Sequence, residues 1–103
     1  MEVVAKYRFE QMVSAALDEL PDELQHVLDN VVVQVHDRNR IEPTILGLYQ
    51  GVPHTKRTGH EGPDVVSIYR LPLCAMCEDL DDLANEVYVT VIHEVAHAAG
   101  IDD

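Results

Sequence analysis

The spacing of apolar residues divides the first part of the chain into three predicted elements. From Tyr7 to Leu20 the apolar side chains recur at helical spacing, which predicts a first helix. Pro21 opens the segment "PDELQHVL", where a proline and acidic residues in the first turn favour a second helix. The short β-branched segment "VVVQVH", Val31 to His36, predicts a strand.

The second part of the chain alternates loop-forming and apolar segments. "TILGLYQ", residues 44–50, is a weaker strand candidate, and "DVVSIYRL", residues 64–71, alternates in the manner of a strand. Residues 51–63 are rich in Gly, Pro, Thr and His without periodicity, which predicts a loop. A last helix is predicted to start within residues 79–82 and to end at Gly100.

The predicted last helix carries one long apolar stripe that is expected to face the core. Its members are Leu80, Leu83, Ala84, Val87, Val91, Val95 and Ala98. The order helix, helix, strands, loop, strand, helix predicts a small α+β domain that spans residues 1–103. In this arrangement a small sheet packs on helices, and the last helix lies at the C-terminus.

Composition and charge narrow the classes of protein to consider. The chain has 103 residues, of which 47% are apolar and 25% charged, as is typical of one globular domain. The net charge of −12 repels phosphate backbones and anionic membranes, so we expect neither nucleic acid nor membrane as a partner. The N-terminus "MEVVAKYRFE" lacks a signal-peptide pattern, which predicts a cytoplasmic location.

The candidate chemistry lies in "VIHEVAHAAGIDD", residues 91–103. His93 and His97 are four residues apart, which on a helix is about 40° of rotation and about 6 Å of rise, so both imidazoles face one side. Two neutral imidazoles at this separation can share a tetrahedral zinc ion. Glu94 lies about 100° further round the helix and is therefore better placed to act as a general base on water than as a ligand.

A third zinc ligand is expected beyond the end of this helix. A glycine at position 100 allows the chain to turn back, which makes Asp103 the expected ligand through a carboxylate oxygen. The terminal carboxylate of Asp103 and the neighbouring Asp102 are alternatives. Three protein ligands leave one position open, as in catalytic zinc sites, and iron, cobalt or nickel are alternatives to zinc.

The segment "HEVAHAAGIDD" resembles the metzincin-like pattern H-E-x-x-H-x-x-G-x-x-D, in which Asp replaces a third His. Most of the chain is similar to the small prokaryotic minimal-zincin family of zinc metallopeptidases, including "LGLYQGVP" and "VVSIYRLPL". The resemblance implies a minimal zincin-like fold. It also implies a zinc ion held by His93, His97 and Asp103, with Glu94 as the base.

The expected function is zinc-dependent hydrolysis of peptide or amide bonds in a peptide or protein substrate, by a zinc-activated water with Glu94 as general base. The alternative is a zinc-binding interaction module with weak or no turnover. A site that only holds zinc has no need of Glu94, so this residue favours the enzyme. The sequence carries no signal for the oligomeric state.

Cys74 and Cys77, in "CAMC", have the spacing of a metal-binding or redox pair. The chain has no other cysteine to complete a structural zinc site. In the expected reducing compartment both side chains would remain thiols. We therefore expect partly buried, inert thiols, with a redox or auxiliary metal role as the alternative.

Overall fold

A computed structural model of the chain describes residues 1–51 and 62–101. Its helices and strands form an α+β arrangement, which confirms the predicted fold class. The elements are α1 (Lys6–Asp18), α2 (Asp22–Gln25), a 3-10 helix (His26–Asn30), β1 (Val31–His36), β2 (Gly47–Gln50), β3 (Asp64–Tyr69), α3 (Arg70–Met76) and α4 (Leu80–Ala98). No helix within these described residues is both long and apolar enough to cross a membrane.

The three strands form one mixed sheet in the order β1-β3-β2. Strand β1 runs parallel to β3, with Val31 opposite Asp64, whereas β2 runs antiparallel to β3, with Gly47 opposite Ile68. Because β3 is the central strand, nearly all of its side chains are buried. Strand β1 instead alternates half-buried and exposed residues, as an edge strand covered on one face does.

Helix α4 contacts α1 as well as strands β2 and β3, and it contributes the largest share of the core. Its buried residues are Leu83, Val87, Thr90, Val91, Glu94, Val95 and Ala98. The predicted stripe is therefore largely correct, but Leu80 and Ala84 are exposed. Thr90 and Glu94 are buried instead, because β2 crosses the helix beside them.

Both predicted ends of α4 are present in the structure. The Asp79 side chain accepts a hydrogen bond from the Asp82 amide at 2.8 Å, which caps the start of the helix. At the other end Gly100 has a φ of +85°, a left-handed conformation that favours glycine. Its amide donates to the His97 carbonyl and the Ile101 amide to the Ala96 carbonyl, so the helix stops where the glycine predicts.

Helix α3 differs from the prediction, since the sequence pattern places residues 70–71 in a strand and residues 72–76 in no element. Strand β3 ends at Tyr69. Pro72 is tolerated in the first turn of α3, because a backbone amide there would have no hydrogen-bond acceptor within the helix. The Arg70 guanidinium donates to the Val4 carbonyl at 2.7 Å and to the Asp37 carboxylate at 2.8 Å. These contacts with distant parts of the chain fix the turn from strand to helix. The same guanidinium lowers the pKa of Asp37.

Two other predicted segments differ in extent or lie beyond the described residues. The predicted second helix is shorter, because α2 has 4 residues and the chain then tightens into the 3-10 helix. The weaker strand candidate at residues 44–50 is a strand over its last 4 residues. Of the predicted loop, residues 52–61 lie outside the part of the chain that the structure describes.

Candidate metal centre

Helix α4 brings the side chains of His93, Glu94 and His97 together. One donor atom from each residue lies within 4.8 Å of the others. The two imidazole rings have centroids 4.6 Å apart and planes inclined by 56°. This is the arrangement that the four-residue spacing predicts, since residues four apart lie one turn apart on the same side of a helix.

Glu94 is the buried member of this group, with only 7% of its surface exposed. Its Oε1 atom lies 3.5 Å from Nδ1 of His97, whose side chain is 33% exposed. The carboxylate is therefore covered by protein while the neighbouring imidazole is accessible from solvent. A buried carboxylate needs polar partners, and the imidazole provides one along the helix.

Gly47 is the position at which strand β2 approaches α4. A Cβ atom there would lie 2.8 Å from Cγ2 of Thr90, 3.0 Å from Cγ of Glu94 and 3.3 Å from its Oε2. Any side chain at this position would push against the Glu94 carboxylate, so the glycine determines how deeply Glu94 can sit. Sequence reasoning missed this role. The available signal was a glycine inside a strand pattern, which often marks a close approach of two backbones.

An open cleft of about 340 Å³ leads to the candidate centre. One side is formed by residues 44–47 and the other by α4 residues between Glu86 and Glu94, including His93. Larger pockets of about 540 and 470 Å³ lie elsewhere, and neither is lined by His93, Glu94 or His97. The candidate centre thus borders a smaller cleft, to which His93 and Glu94 contribute.

The donor atoms suit zinc in type. In a tetrahedral site with nitrogen and oxygen ligands at about 2.0–2.2 Å from the ion, two ligand atoms lie about 3.4 Å apart. The three donor atoms lie within 4.8 Å of one another, a limit that includes the Glu94 oxygen, so side-chain rotations would bring the ligands onto the ion. The predicted third ligand, Asp103, and its alternative, Asp102, lie outside the described residues. Their role therefore stays a prediction, and so does the division of labour between the histidines and Glu94.

The two cysteines lie away from this group and are more deeply buried than predicted. Cys74 is 0% and Cys77 is 2% exposed, and both are free thiols. Burial raises the pKa of the Cys77 thiol, and the negative charges of Asp82 and Glu86 raise it further. Among residues 1–51 and 62–101, only His93, Glu94 and His97 form a group of three or more side chains that could bind a metal ion.

The fold and the site together define a class, the small α+β proteins whose last helix carries an H-E-x-x-H motif. A sequence model of the zincin-like metallopeptidases matches residues 28–103, which is well over half of the chain. The chain belongs to the zincin-like metallopeptidase family, as the resemblance predicted.

Among solved structures, the chain is similar to a conserved hypothetical protein from Thermo thermophilus. The two are 22% identical with a TM-score of 0.62, over 90% of this chain and 92% of that chain. This likeness shows a shared fold. A comparison with curated proteins finds no match.

Proposed function

We propose that this protein is a zinc-dependent peptidase that hydrolyses peptide or amide bonds in a peptide or protein substrate. The observation that carries the proposal is the buried Glu94 carboxylate, held beside the two imidazoles at the end of an open cleft. Membership of the zincin-like metallopeptidase family supports it. An interaction module that only holds zinc would need neither the cleft nor a carboxylate fixed at its end.

In this proposal His93, His97 and Asp103 would hold the zinc ion. A bound zinc ion supplies Lewis-acid chemistry, which polarises a substrate carbonyl and lowers the pKa of water. Glu94 accepts the proton of the attacking water and later delivers it to the leaving amine. Because the carboxylate is confined between His97 and Gly47, it is oriented before a substrate arrives.

The experiment that tests this role is the substitution Glu94→Gln. The amide keeps the size of the side chain but cannot accept a proton, and general-base assistance is worth about 10²–10⁴-fold in rate. We expect the variant to keep one zinc ion per chain by mass spectrometry and to lose kcat/KM by about that factor. His97→Ala, in contrast, should abolish tight zinc binding, because too few ligands remain.

The measurement needs a substrate from a peptide library that the unmodified protein cleaves in a chelator-sensitive way. Glu10→Gln is the matched control, because Glu10 is exposed on α1 and the substitution changes the charge by the same amount. This control should cleave the substrate at the unmodified rate. Equal rates for Glu94→Gln would refute its role as base, and a library without any cleaved peptide would favour the interaction module.

A further inference from the structure

The cleft that leads to the candidate centre contains a second acidic side chain, Glu86. Glu86 lies on α4 seven residues before His93, which is two helical turns, or about 10 Å along the axis. The lining between the two residues includes the apolar side chains of Ile45, Leu46 and Val89. The cleft thus has apolar walls, a carboxylate at one end and the candidate centre at the other.

The Glu86 carboxylate is half-buried and available to a ligand. Within the described residues it makes no hydrogen bond or ion pair. Asp82, one turn earlier on the same helix, is already engaged, because its carboxylate accepts a hydrogen bond from the Glu78 amide at 3.0 Å. No lysine or arginine is among the described residues that line the cleft. The negative charge of Glu86 therefore faces the cleft without a cation from these residues.

We propose that this cleft is a specificity pocket for a lysine or arginine side chain of the peptide substrate, at a residue next to the bond that is cleaved. The inference rests on the proposed function, since it names the substrate side chain that the same site selects. The aliphatic stem would contact the apolar walls and the cationic end would pair with Glu86.

The spacing of Glu86 and His93 along α4 suits such a side chain. One residue step along a peptide is about 3.8 Å and an extended lysine side chain adds about 6 Å, which together match the two helical turns between Glu86 and His93. A shorter cation would not reach Glu86 from the candidate centre. The net charge of −12 also favours the approach of cationic peptides.

The test compares the peptide acetyl-Ala-Ala-Lys-Ala-Ala-amide with the same peptide carrying norleucine in place of lysine. Both are titrated by NMR into the zinc-loaded Glu94→Gln variant, so that a bound peptide stays intact during the measurement. We expect the lysine peptide to bind about fivefold more tightly, the upper range for a partly exposed ion pair. Adding Glu86→Gln should reduce this preference to less than about twofold, whereas adding Glu86→Lys should remove it altogether.

Glu10→Gln, added to the same zinc-loaded variant, separates a local contact from general attraction to an acidic protein. It lowers the negative charge by the same amount outside the cleft, so the preference for lysine should remain. Equal affinity for the two peptides, no binding of either, or a preference that survives Glu86→Gln would overturn the inference.

Hydrolysis assays of the unmodified protein distinguish a failure of the inference from a failure of the proposed function. A Glu86-dependent binding preference with no cleavage of any library peptide would keep the lysine-binding cleft and favour the interaction module over the peptidase. Cleavage of library peptides with no Glu86-dependent preference would keep the peptidase and refute the pocket.

Discussion

Gly47 shows how the site depends on a residue that carries no chemistry itself. The strand that contains it passes so close to α4 that a Cβ atom would meet both Thr90 and Glu94. Glu94 is therefore held from two directions, by its own helix and by the backbone of β2. At the scale of single residues, the position of the Glu94 carboxylate thus depends on the absence of a side chain at Gly47.

Gly47→Ala should destabilise the fold and disturb the base. The added methyl group would lie 2.8 Å from Cγ2 of Thr90, closer than such atoms pack, so side chains or backbone must shift. Overpacking of this kind costs about 1–3 kcal/mol, measurable by urea unfolding. We also expect lower peptide hydrolysis with zinc binding retained, because the shift moves Glu94 more than the histidines.

Gly62→Ala is the matched control, since a Cβ atom at Gly62 would have no heavy atom within 4 Å. Its free energy of unfolding should stay within about 0.5 kcal/mol of the unmodified protein. Thr90→Ser removes the methyl group nearest to the added Cβ atom. The double variant Gly47→Ala, Thr90→Ser should therefore be more stable than Gly47→Ala alone. Equal stability of Gly47→Ala and the unmodified protein would contradict the close packing of β2 on α4.

At the scale of elements, α3 accounts for the cysteine pair. The helix and the residue after it place Cys74 and Cys77 in the same buried apolar cluster as Leu73 and Leu83. The reactive form of cysteine is the thiolate, and burial raises the pKa of Cys77. Burial and a raised pKa both oppose reaction or metal binding at neutral pH.

We therefore expect both thiols to react slowly in the folded protein. With a disulfide reagent at neutral pH, labelling should be far below one thiol per chain before unfolding and should reach both thiols in guanidinium. Changing Cys74 and Cys77 together to alanine should leave zinc stoichiometry unchanged, because neither belongs to the His93–His97 group. Loss of zinc in this double variant would move the metal site to the cysteines.

At the scale of the whole molecule, the hydrophobic core consists of apolar side chains that are not ligands of the candidate metal centre. The buried face of α4 packs against α1 and the sheet through apolar contacts that extend over the length of the helix. Zinc would bind near the C-terminal end of this helix, where the fold already holds His93 and His97 side by side. Metal binding should thus add to stability without being required for folding.

Removal of the metal is expected to lower the melting temperature but to leave a cooperative transition. A free zinc concentration about 1,000 times the dissociation constant stabilises a native state by about 4 kcal/mol. In chelator at room temperature the helical circular dichroism signal should persist, because the apolar core remains. Its loss under these conditions would mean that the metal holds the fold together, as in a zinc finger.

The sequence by itself determined the features that arise within a few residues of chain. The repeat of apolar residues predicts α1 and α4, the β-branched run predicts β1, and Gly100 predicts where α4 ends. The placement of His93 and His97 on one side follows in the same way, because helical geometry links residues four apart without help from the rest of the molecule.

The tertiary structure decided the features that depend on contacts between distant segments. Helix α3 forms where Arg70 bonds to Val4 and Asp37, and local spacing does not reveal such partners. The burial of Glu94 against Gly47 and the cleft lined by Glu86 exist only once β2 lies across α4. These segments are far apart in the chain, so only packing of the whole fold brings them together.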